Sequence, residues 1–465
     1  MADKFYFEPY KIEQLQASYD VAIIGAGGAG LTAALQAVEL GLKPVVFEKM
    51  ERLGGNTNRA SSGMNASETS VQLKHGVIDD FKDFYQETYV GGGKLNDPKL
   101  LEYFASHTSQ AIAWLQEQGI RLDDLTITGA MSKPRTHRPA STAPIGAFMI
   151  TNLLKQLQQK QVAIFNQTKV IELMMDDAKQ KICGIKLEDA DQKIHQVEVK
   201  AVILASGGFG ASQELMNKYR PDLAHYKTTN HEGATGDGLA LATALGAQLR
   251  DMDLIQIHPT VQQDNPHVYL IGEAVRGEGA ILINQDAKRF VNELATRKIV
   301  SDAISALEQK SAYLIFGEEV FKRVQALAFY AHIGLVIQAQ SISQLAKQIN
   351  VDATKLENTL TTWNQAVDSN NDSQFGRTTG LRVIKQAPYY AIHIAPAIHY
   401  TMGGIHADQY TRVLDENGTP IAGLYAAGEV VGGLHGNNRI GGNSIAETVV
   451  FGRQAAIQVA RYLQN

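Results

Sequence analysis

Four short segments of the sequence carry residue types that could perform acid–base or anion-binding chemistry. They combine histidine, arginine and glutamate with glycine-rich turns, and they lie at 256–260 (QIHPT), 273–277 (EAVRG) followed by 289–297 (RFVNELATR), 399–404 (HYTMGG), and 428–444. Because arginine forks bind carboxylates through two hydrogen bonds, this set of residues fits a dianionic substrate. Taken singly, each residue also has an ordinary explanation. His258 is one of 13 histidines, and Glu273 with Arg276 could be a local ion pair of little energetic value.

The element that would place a cofactor beside these residues is predicted in the stretch from Tyr19 to Met64. An apolar run, Val21 to Ile24, predicts a buried strand, and the turn Gly25-Ala26-Gly27-Gly28-Ala29-Gly30 follows it. We expect a helix from Leu31 to Leu40 and a second strand from Pro44 to Phe47, which ends at Glu48. This order of strand, glycine turn, helix, strand and acid is typical of a dinucleotide-binding unit.

Each part of that unit has a physical task. Gly25 permits the tight turn, Gly27 lets a pyrophosphate approach the backbone, and Gly30 lets helix and strand pack closely. The phosphates would then lie at the free N–H groups of the helix N-terminus, and Glu48 would accept hydrogen bonds from a ribose.

The sequence after Glu48 favours FAD over NAD. Residues 52–57 (RLGGNT) and 60–64 (ASSGM) are small and rich in backbone groups, so this segment can run close under a flat isoalloxazine ring. An ordinary flexible loop remains the alternative interpretation of these residues.

Length, charge and cysteine content limit the classes of protein to which the chain can belong. A chain of 465 residues is longer than a domain with a single hydrophobic core usually is, so we expect two domains. The formal net charge of -5 disfavours a nucleic-acid partner. The single cysteine, Cys183, excludes an intrachain disulfide and a cysteine-ligated iron–sulfur cluster within this chain. The N-terminal residues lack an apolar signal region and no apolar run could span a bilayer, so we expect a cytoplasmic protein without membrane insertion or a metal site.

Other segments predict an α/β fold. Apolar residues at helical spacing predict a helix from Asp97 to Gly119, and residues 201–205 (AVILA) predict a buried strand that ends in Ser206-Gly207-Gly208. We expect a loop over 132–144, a helix opening at 233–238 (GATGDG), and a second domain that includes 265–349.

Taken in order, the motifs resemble one family along nearly the whole chain. They are GGN with SSGMN, THRP, ILASGG, TGDG, HPT, EAVRG, RFVNE with TR, HYTMGG, and AGEV with GNNRIGGN. From Asp20 to Arg461 the chain resembles the flavoprotein subunit of the soluble fumarate reductase/flavocytochrome c family, within the wider succinate dehydrogenase–fumarate reductase–aspartate oxidase group. The resemblance implies a Rossmann-like FAD-binding domain (1–257 and 396–465) split by an inserted α+β capping domain (258–395).

The resemblance also implies roles for individual residues. His258, His399 and Arg439 would grip the substrate carboxylates, with Ser62, Gly63 and Gly272 nearby. Arg297 would deliver a proton, and Glu273 and Arg276 would relay it from solvent. FAD would be held by Gly25, Gly27, Gly28, Ala29, Gly30, Glu48, Lys49, Gly55, Asn56, Thr57, Ser61, Gly63, Met64, Val170, Ala205, Ser206, Gly207, Asp237, Gly428, Glu429, Arg439, Gly442, Ser444 and Ile445. The binding would be non-covalent, because no histidine follows Gly55 where membrane-bound relatives attach the flavin.

The implied reaction is reduction of fumarate to succinate, with a hydride from FAD N5 and a proton from Arg297. Electrons would come from a separate donor, which could be a flavin reductase, an FMN protein or reduced free flavin. Gly272 stands where fumarate reductases of this family carry threonine, so a methacrylate-, cinnamate- or urocanate-like enoate is the alternative substrate. An oxidase, a ketosteroid dehydrogenase and a non-catalytic flavin subunit are the remaining alternatives.

Overall fold

The computed structural model describes residues 5–178, 180–265 and 267–464. Within it the chain divides into two compact units. Unit 1 comprises Met1–Ala224, Asn230–Ile255 and Tyr400–Asn465, and unit 2 comprises His225–Thr229 and Gln256–His399.

The strands in the described residues are given in chain order. They are β1 (Ser18–Ile24), β2 (Pro44–Phe47), β3 (Met64–Asn65), β4 (Asp124–Thr126), β5 (Thr136–Arg138), β6 (Ala163–Phe165), β7 (Lys169–Met175), β8 (Ile182–Glu188), β9 (Ile194–Leu204), β10 (Leu249–Arg250), β11 (Ile255–Gln262), β12 (Tyr269–Leu270), β13 (Ile281–Ile283), β14 (Ala312–Gly317), β15 (Ile337–Ala339), β16 (Tyr389–Thr401), β17 (Gly404–Ile405), β18 (Arg412–Leu414) and β19 (Pro420–Ala426).

The α-helices follow the same order. They are α1 (Gly28–Glu39), α2 (Ser70–Lys74), α3 (Phe81–Gly91), α4 (Pro98–Glu117), α5 (Ile145–Gln159), α6 (Gln213–Tyr219), α7 (Asp237–Thr243), α8 (Ala274–Gly277), α9 (Arg297–Ser305), α10 (Glu318–Arg323), α11 (Ala326–His332), α12 (Ile342–Gln348), α13 (Ala353–Asp368) and α14 (Asn443–Gln464). Short 3₁₀ turns cover Ile12–Gln14 and Gly55–Arg59.

Unit 1 is built on a sheet in the order β18-β19-β9-β1-β2-β6, with β8 pairing β9 and β7 pairing β8. The pairs β1–β2, β1–β9, β9–β19 and β2–β6 are parallel. All four residues of β2 are buried, as are the last four of β1, which agrees with the continuous apolar runs of a parallel sheet covered on both faces. The α/β class expected from the sequence is confirmed.

The glycine turn connects β1 to α1 as the sequence predicts. Helix α1 begins at Gly28, and Gly41 just beyond its end has a φ of +78°, the left-handed conformation that closes many helices. A Cβ on Gly30 would lie 1.9 Å from the carbonyl oxygen of Gly25. Helix and strand can therefore approach this closely only because Gly30 has no side chain.

Unit 2 has a six-stranded sheet in the order β12-β11-β16-β14-β13, with β15 also pairing β16. Alternate residues of β14 pack into two different hydrophobic cores, one on each face of the sheet. Leu314 and Phe316 pack with residues of α9, α10 and α11, whereas Ile315 packs with residues of α12 and α13. Because successive side chains of a strand point to opposite faces, helices cover this sheet on both sides.

Two local predictions have different outcomes. The helix expected from Asp97 to Gly119 is α4, with Asp97 as its N-cap and Pro98 in its first turn. The uniform loop expected over 132–144 is wrong, because Thr136–Arg138 forms the middle strand of a small antiparallel sheet with β3 and β4. Three residues with polar neighbours carry too little alternation to predict a strand.

The described residues contain neither a membrane-spanning helix nor a metal-binding cluster. None of their helices combines the length and apolar character needed to cross a bilayer. Their His, Cys, Asp and Glu side chains form no group of three or more that could hold a metal ion.

We expect Gly30→Ala to destabilise the protein by about 3 kcal/mol or more, because the new methyl group has no room beside the Gly25 carbonyl. Gly129→Ala is the matched control, since a Cβ there meets no atom within 4 Å. Urea-induced unfolding of both variants measures the difference. Equal stability of the two variants would contradict the close helix–strand contact.

Candidate functional site

The turn between β1 and α1 leaves backbone groups exposed to a ligand. Gly25 has a φ of +108°, and a Cβ there would lie 2.4 Å from the carbonyl oxygen of Ala205. A Cβ on Gly27, in contrast, would meet nothing closer than the Gly54 oxygen at 3.9 Å. The space beside Gly27 therefore lies at the start of α1, where the positive end of the helix dipole favours phosphate.

Glu48 follows β2 and is tied to the turn by its carboxylate. Its Oε2 accepts a hydrogen bond from the amide of Ala26 at 3.0 Å, and its Oε1 accepts one from the amide of Met50 at 3.0 Å. Burial raises the pKa of Glu48, and these two amide bonds only partly offset the shift. A carboxylate accepts more than two hydrogen bonds, so ribose hydroxyls can still bind it.

A cavity of about 640 Å³ opens beside the residues that follow β2, and Lys49, Lys169, Thr235 and Asp237 are among those lining it. Lys49 Nζ lies 3.0 Å from Asp237 Oδ2. Burial favours a higher pKa for Asp237, but hydrogen bonds from Thr235 and Lys49 outweigh it and lower that pKa. Asp237 is the first residue of α7 and not its N-cap, which is Gly236.

Asn56 joins several loops of unit 1. Its Nδ2 donates to Asn230 Oδ1 at 2.7 Å and to Glu429 Oε2 at 3.2 Å, while its Oδ1 accepts from the amide of His231 at 2.6 Å. Desolvation raises the pKa of Glu429 to about 7, although the Thr401 amide and Asn56 donate hydrogen bonds to it. This carboxyl group therefore titrates near neutrality.

Other residues predicted to hold FAD occupy turns or buried positions around the same sheet. Gly28 N donates to Thr57 Oγ1 at 3.1 Å, and the buried Ser206 hydroxyl makes no hydrogen bond within the described protein. Gly55 and Gly207 have φ values of +48° and +74°, and a Cβ on either would meet no atom within 4 Å. The remaining members are placed as follows: Ala29, Gly63, Met64, Val170, Ala205, Gly428, Gly442 and Ile445 are buried, Ser444 is partly exposed in the first turn of α14, and Ser61 is exposed. Ser62, which was predicted to lie near the substrate, is exposed as well.

These residues fit a dinucleotide. Open backbone at Gly27, Gly55 and Gly207 leaves room for a flat or phosphorylated ligand. The buried Ser206 hydroxyl, which has no hydrogen-bond partner among the described residues, supplies a polar group that such a ligand can satisfy.

Two histidines of unit 2 lie side by side. The ring centroids of His258 and His399 are 5.2 Å apart in an edge-to-face arrangement. The amide of Thr260 donates to His258 Nδ1 at 3.3 Å, so in the neutral ring Nε2 carries the proton and can donate to a carboxylate. His399 Nδ1 lies 2.7 Å from Thr229 Oγ1, which orients the second ring.

A chain of charged groups lies in the same unit. Arg297, the first residue of α9, donates from Nη2 to Glu273 Oε2 at 2.9 Å and from Nη1 to Gln256 Oε1 at 3.1 Å. Glu273 Oε1 in turn lies 3.4 Å from Arg276 Nη2. Because Gln256 and His258 are two residues apart on β11, their side chains point to the same face of the strand. Arg297 and His258 therefore share that face.

Arg276 has an exposed fraction of 1%, so its charge requires compensation. Burial lowers the pKa of Arg276, and the charges of Arg297 and Arg377 lower it further, whereas Glu273 opposes the shift. Arg276 Nη1 also donates to the carbonyl oxygen of Glu293 at 2.6 Å.

A second buried charge cluster supports Arg276. The carboxylate of Glu293 accepts from Arg289 at 2.9 Å and from Arg377 at 3.2 Å, and Arg289 also pairs with Asp372 at 2.9 Å. Arg377 Nη2 donates to the carbonyl oxygen of Arg276 at 2.6 Å. Arg289 and Glu293 belong to the segment 289–297 that the sequence marks as a candidate for chemistry, whereas Asp372 and Arg377 were not predicted from the sequence. No spacing signal connects residues so far apart in the chain.

The remaining substrate-site predictions fall in both units. Arg439 belongs to unit 1, where its Cζ lies 4.5 Å from the centre of the Tyr400 ring. Ser62 and Gly63 also belong to unit 1. Gly272 belongs to unit 2, and its amide donates to the Tyr330 hydroxyl at 3.3 Å.

The parallel sheet, the glycine turn and the acid after β2 define a protein of the Rossmann-like, dinucleotide-binding class. Comparison with known proteins narrows this class. A family model described as FAD binding domain matches residues 20–445.

Named relatives agree with that match. The chain is 45% identical to an NADH:fumarate oxidoreductase of Klebsiella pneumoniae over 445 residues, which are 96% of this chain and 48% of that relative. It is 38% identical to a fumarate reductase (cytochrome) of Shewanella frigidimarina over 443 residues, which are 95% of this chain and 77% of that relative. A solved structure of a flavocytochrome c3 fumarate reductase in an open conformation has a TM-score of 0.84 and 36% identity, covering 97% of this chain and 80% of that one.

The chain belongs to the FAD-binding fumarate reductase/flavocytochrome c flavoprotein family. Its cofactor is FAD, which confirms the expectation from residues 19–64. The chain spans about half the length of the Klebsiella relative and about three quarters of the Shewanella one.

The pKa of Glu429 predicts a pH dependence of stability. Its folded value of about 7 lies above the ordinary carboxyl value, so the folded state binds more protons than the unfolded state across that interval. Stability should therefore be greatest at low pH within that interval and fall as pH rises towards 7. Between pH 5 and pH 8 we expect the free energy of unfolding of flavin-free wild type to fall by about 1 to 2 kcal/mol more than that of Glu429→Gln. This range allows for the partial exposure of Glu429 to solvent.

Urea-induced unfolding at the two pH values measures this loss. The exposed Glu416→Gln is the control and should keep the wild-type pH dependence. Identical pH dependence in wild type and Glu429→Gln would contradict the raised pKa.

Proposed function

We propose that this chain is an FAD-dependent reductase that converts fumarate to succinate. The observation that carries the proposal is the chain of hydrogen-bonded charges Arg297–Glu273–Arg276, which shares unit 2 with the paired rings of His258 and His399. The similarity to relatives named for fumarate reduction also supports it.

The two histidines suit a substrate carboxylate. The hydrogen bond that His258 Nδ1 accepts leaves Nε2–H as the donor, and Thr229 holds the His399 ring. We propose that these rings bind and polarise the carboxylate. The roles of Arg439, Ser62, Gly63 and Gly272 in substrate binding stay predictions from the family resemblance.

Arg297 is the proposed proton donor, with Glu273 and Arg276 as its relay. Bound FAD supplies the hydride in this chemistry. A guanidinium group normally has a pKa above about 12 and is a poor acid in water, so it can protonate only a strongly basic centre in a site that excludes water. Arg297 is 8% exposed and donates a hydrogen bond to the carboxylate of Glu273. The Glu273 side chain is 29% exposed, so it can take up a proton from solvent and pass it to Arg297 after Arg297 has protonated the substrate, which supports this assignment. The same positive charge would also stabilise developing negative charge without any transfer.

We further propose that unit 2 serves as the capping domain, that FAD is bound non-covalently, and that electrons come from a separate donor. A flavin reductase, an FMN protein and reduced free flavin are the candidate donors. The cytoplasmic location expected from the sequence also stays a proposal, which cell fractionation would test.

Arg297→Gln should abolish fumarate-dependent flavin reoxidation. In an anaerobic assay, reduced viologen reduces the purified flavoprotein, fumarate is added, and flavin absorbance reports reoxidation. We expect rapid reoxidation in wild type and a loss of at least about 100-fold in kcat for Arg297→Gln, the scale of a missing general acid.

Lys298→Gln is the matched control, because this neighbouring residue is exposed and pairs with the exposed Asp302. FAD released by acid should be equal in the three proteins. Wild-type reoxidation that persists in Arg297→Gln would exclude Arg297 as the essential acid. Absence of reoxidation by any enoate would favour a non-catalytic flavin subunit.

Steady-state rates over a panel of enoates test the substrate itself. With fumarate as the true substrate, kcat/KM should be higher for fumarate than for methacrylate, cinnamate or urocanate. Gly272 motivates the alternative, since glycine has no side chain to contact the substrate and leaves room for a larger group. A higher kcat/KM for one of the other enoates would identify that enoate as the better substrate, and the proposed proton transfer would stay the same.

A further inference from the structure

A buried tyrosine, glutamate and histidine in unit 1 form a hydrogen-bonded group to which the reaction assigns no role. The Tyr400 hydroxyl donates to Glu447 Oε2 at 2.5 Å, and His435 Nε2 lies 3.0 Å from the same oxygen. The exposed fractions are 6% for Tyr400, 2% for Glu447 and 3% for His435. Glu447 is thus a buried carboxylate that accepts hydrogen bonds from two buried side chains.

The protonation states within this group follow from its geometry. Burial and the charge of Glu447 hold the pKa of Tyr400 well above its usual value, so the hydroxyl keeps its proton and donates. Because Glu447 Oε2 is an acceptor, His435 carries a proton on Nε2. Its Nδ1 is buried and makes no hydrogen bond within the described protein. The ring is held by the hydrogen bond of Nε2 and by its edge-to-face packing on Tyr400, with ring centroids 5.5 Å apart.

The Tyr400 ring carries a cation on its face. Arg439 Cζ lies 4.5 Å from the ring centre, within the range of a cation–π contact. Arginine side chains have many rotamers, and ordering one costs conformational entropy. An aromatic ring that is itself tethered through its hydroxyl restricts the guanidinium above it before any ligand binds.

We propose that Tyr400, tethered by Glu447 and His435, is a positioning residue that holds the Arg439 guanidinium ready to bind one carboxylate of a dicarboxylate substrate. This inference rests on the proposed function, specifically on the substrate-binding role of Arg439. It adds that the affinity for dianions depends on residues that contact Arg439.

A double-mutant cycle with a direct binding measurement tests the inference. The oxidised holoenzyme is titrated with malonate, a non-reacting dicarboxylate, and the flavin absorbance change gives Kd. We expect Tyr400→Leu to raise Kd by about 10- to 30-fold, the contribution of a buried cation–π contact. Tyr400→Phe keeps the ring but loses the tether, so its Kd should rise by a smaller factor, about 3-fold.

The Arg439→Met background separates positioning from general damage. There, Tyr400→Leu should change Kd by less than about 2-fold, because the residue it positions has been removed. In steady-state assays with fumarate, Tyr400→Leu should raise KM more than it lowers kcat. The control is Tyr425→Leu, which removes another buried tyrosine of unit 1 and should leave Kd unchanged.

The outcomes separate the inference from the proposed function. If wild type binds malonate and Arg439→Met binds it more weakly but measurably, while Tyr400→Leu and Tyr400→Phe bind like the control, the positioning role is overturned and the proposed function stands. An equal effect of Tyr400→Leu in both backgrounds would also overturn positioning. If wild type does not bind malonate, or if fumarate does not reoxidise its reduced flavin, the proposed function is overturned and the inference with it. Tyr400→Phe keeps the test decisive if Tyr400→Leu does not fold.

Discussion

Glu273 carries its negative charge between two guanidinium groups, and the arrangement of charges in unit 2 depends on this carboxylate. One oxygen binds Arg297 at 2.9 Å and the other faces Arg276 at 3.4 Å. Arg276 is almost completely buried, and an uncompensated charge there would be strongly destabilising. A single carboxylate therefore links the two arginines, and the proposed proton relay uses this arrangement.

Such a concentration of charge can persist only on a rigid support. Arg377 binds the main-chain carbonyl groups of Arg276 and Ala280, so it fixes backbone and not merely side chains. Arg289 and Glu293 complete the compensation of charge within the same buried layer. The sheet beneath this layer is covered by helices on both faces, and that packing limits the movement of the cluster.

The predictions that succeeded rest on contacts between residues close in sequence. The turn between β1 and α1 could be predicted because strand, turn and helix follow one another directly, and the steric need for glycine at Gly25 and Gly30 is local. Helix α4 was predictable from its spacing and its cap at Asp97. The strand at Thr136–Arg138 was not, because its partners β3 and β4 define it and its own three residues carry no strand signal.

The sequence by itself determined the α/β class, the dinucleotide turn and the types of residue available for substrate chemistry, because each follows from local spacing and side-chain chemistry. Only the tertiary structure decided which of these residues meet. Asp372 and Arg377 join Arg289 and Glu293 across about eighty positions, and Tyr400 reaches Glu447 across 47. Partners so distant in sequence come together only when the sheet order and helix packing of each unit are formed, and no periodicity in the chain encodes that pairing.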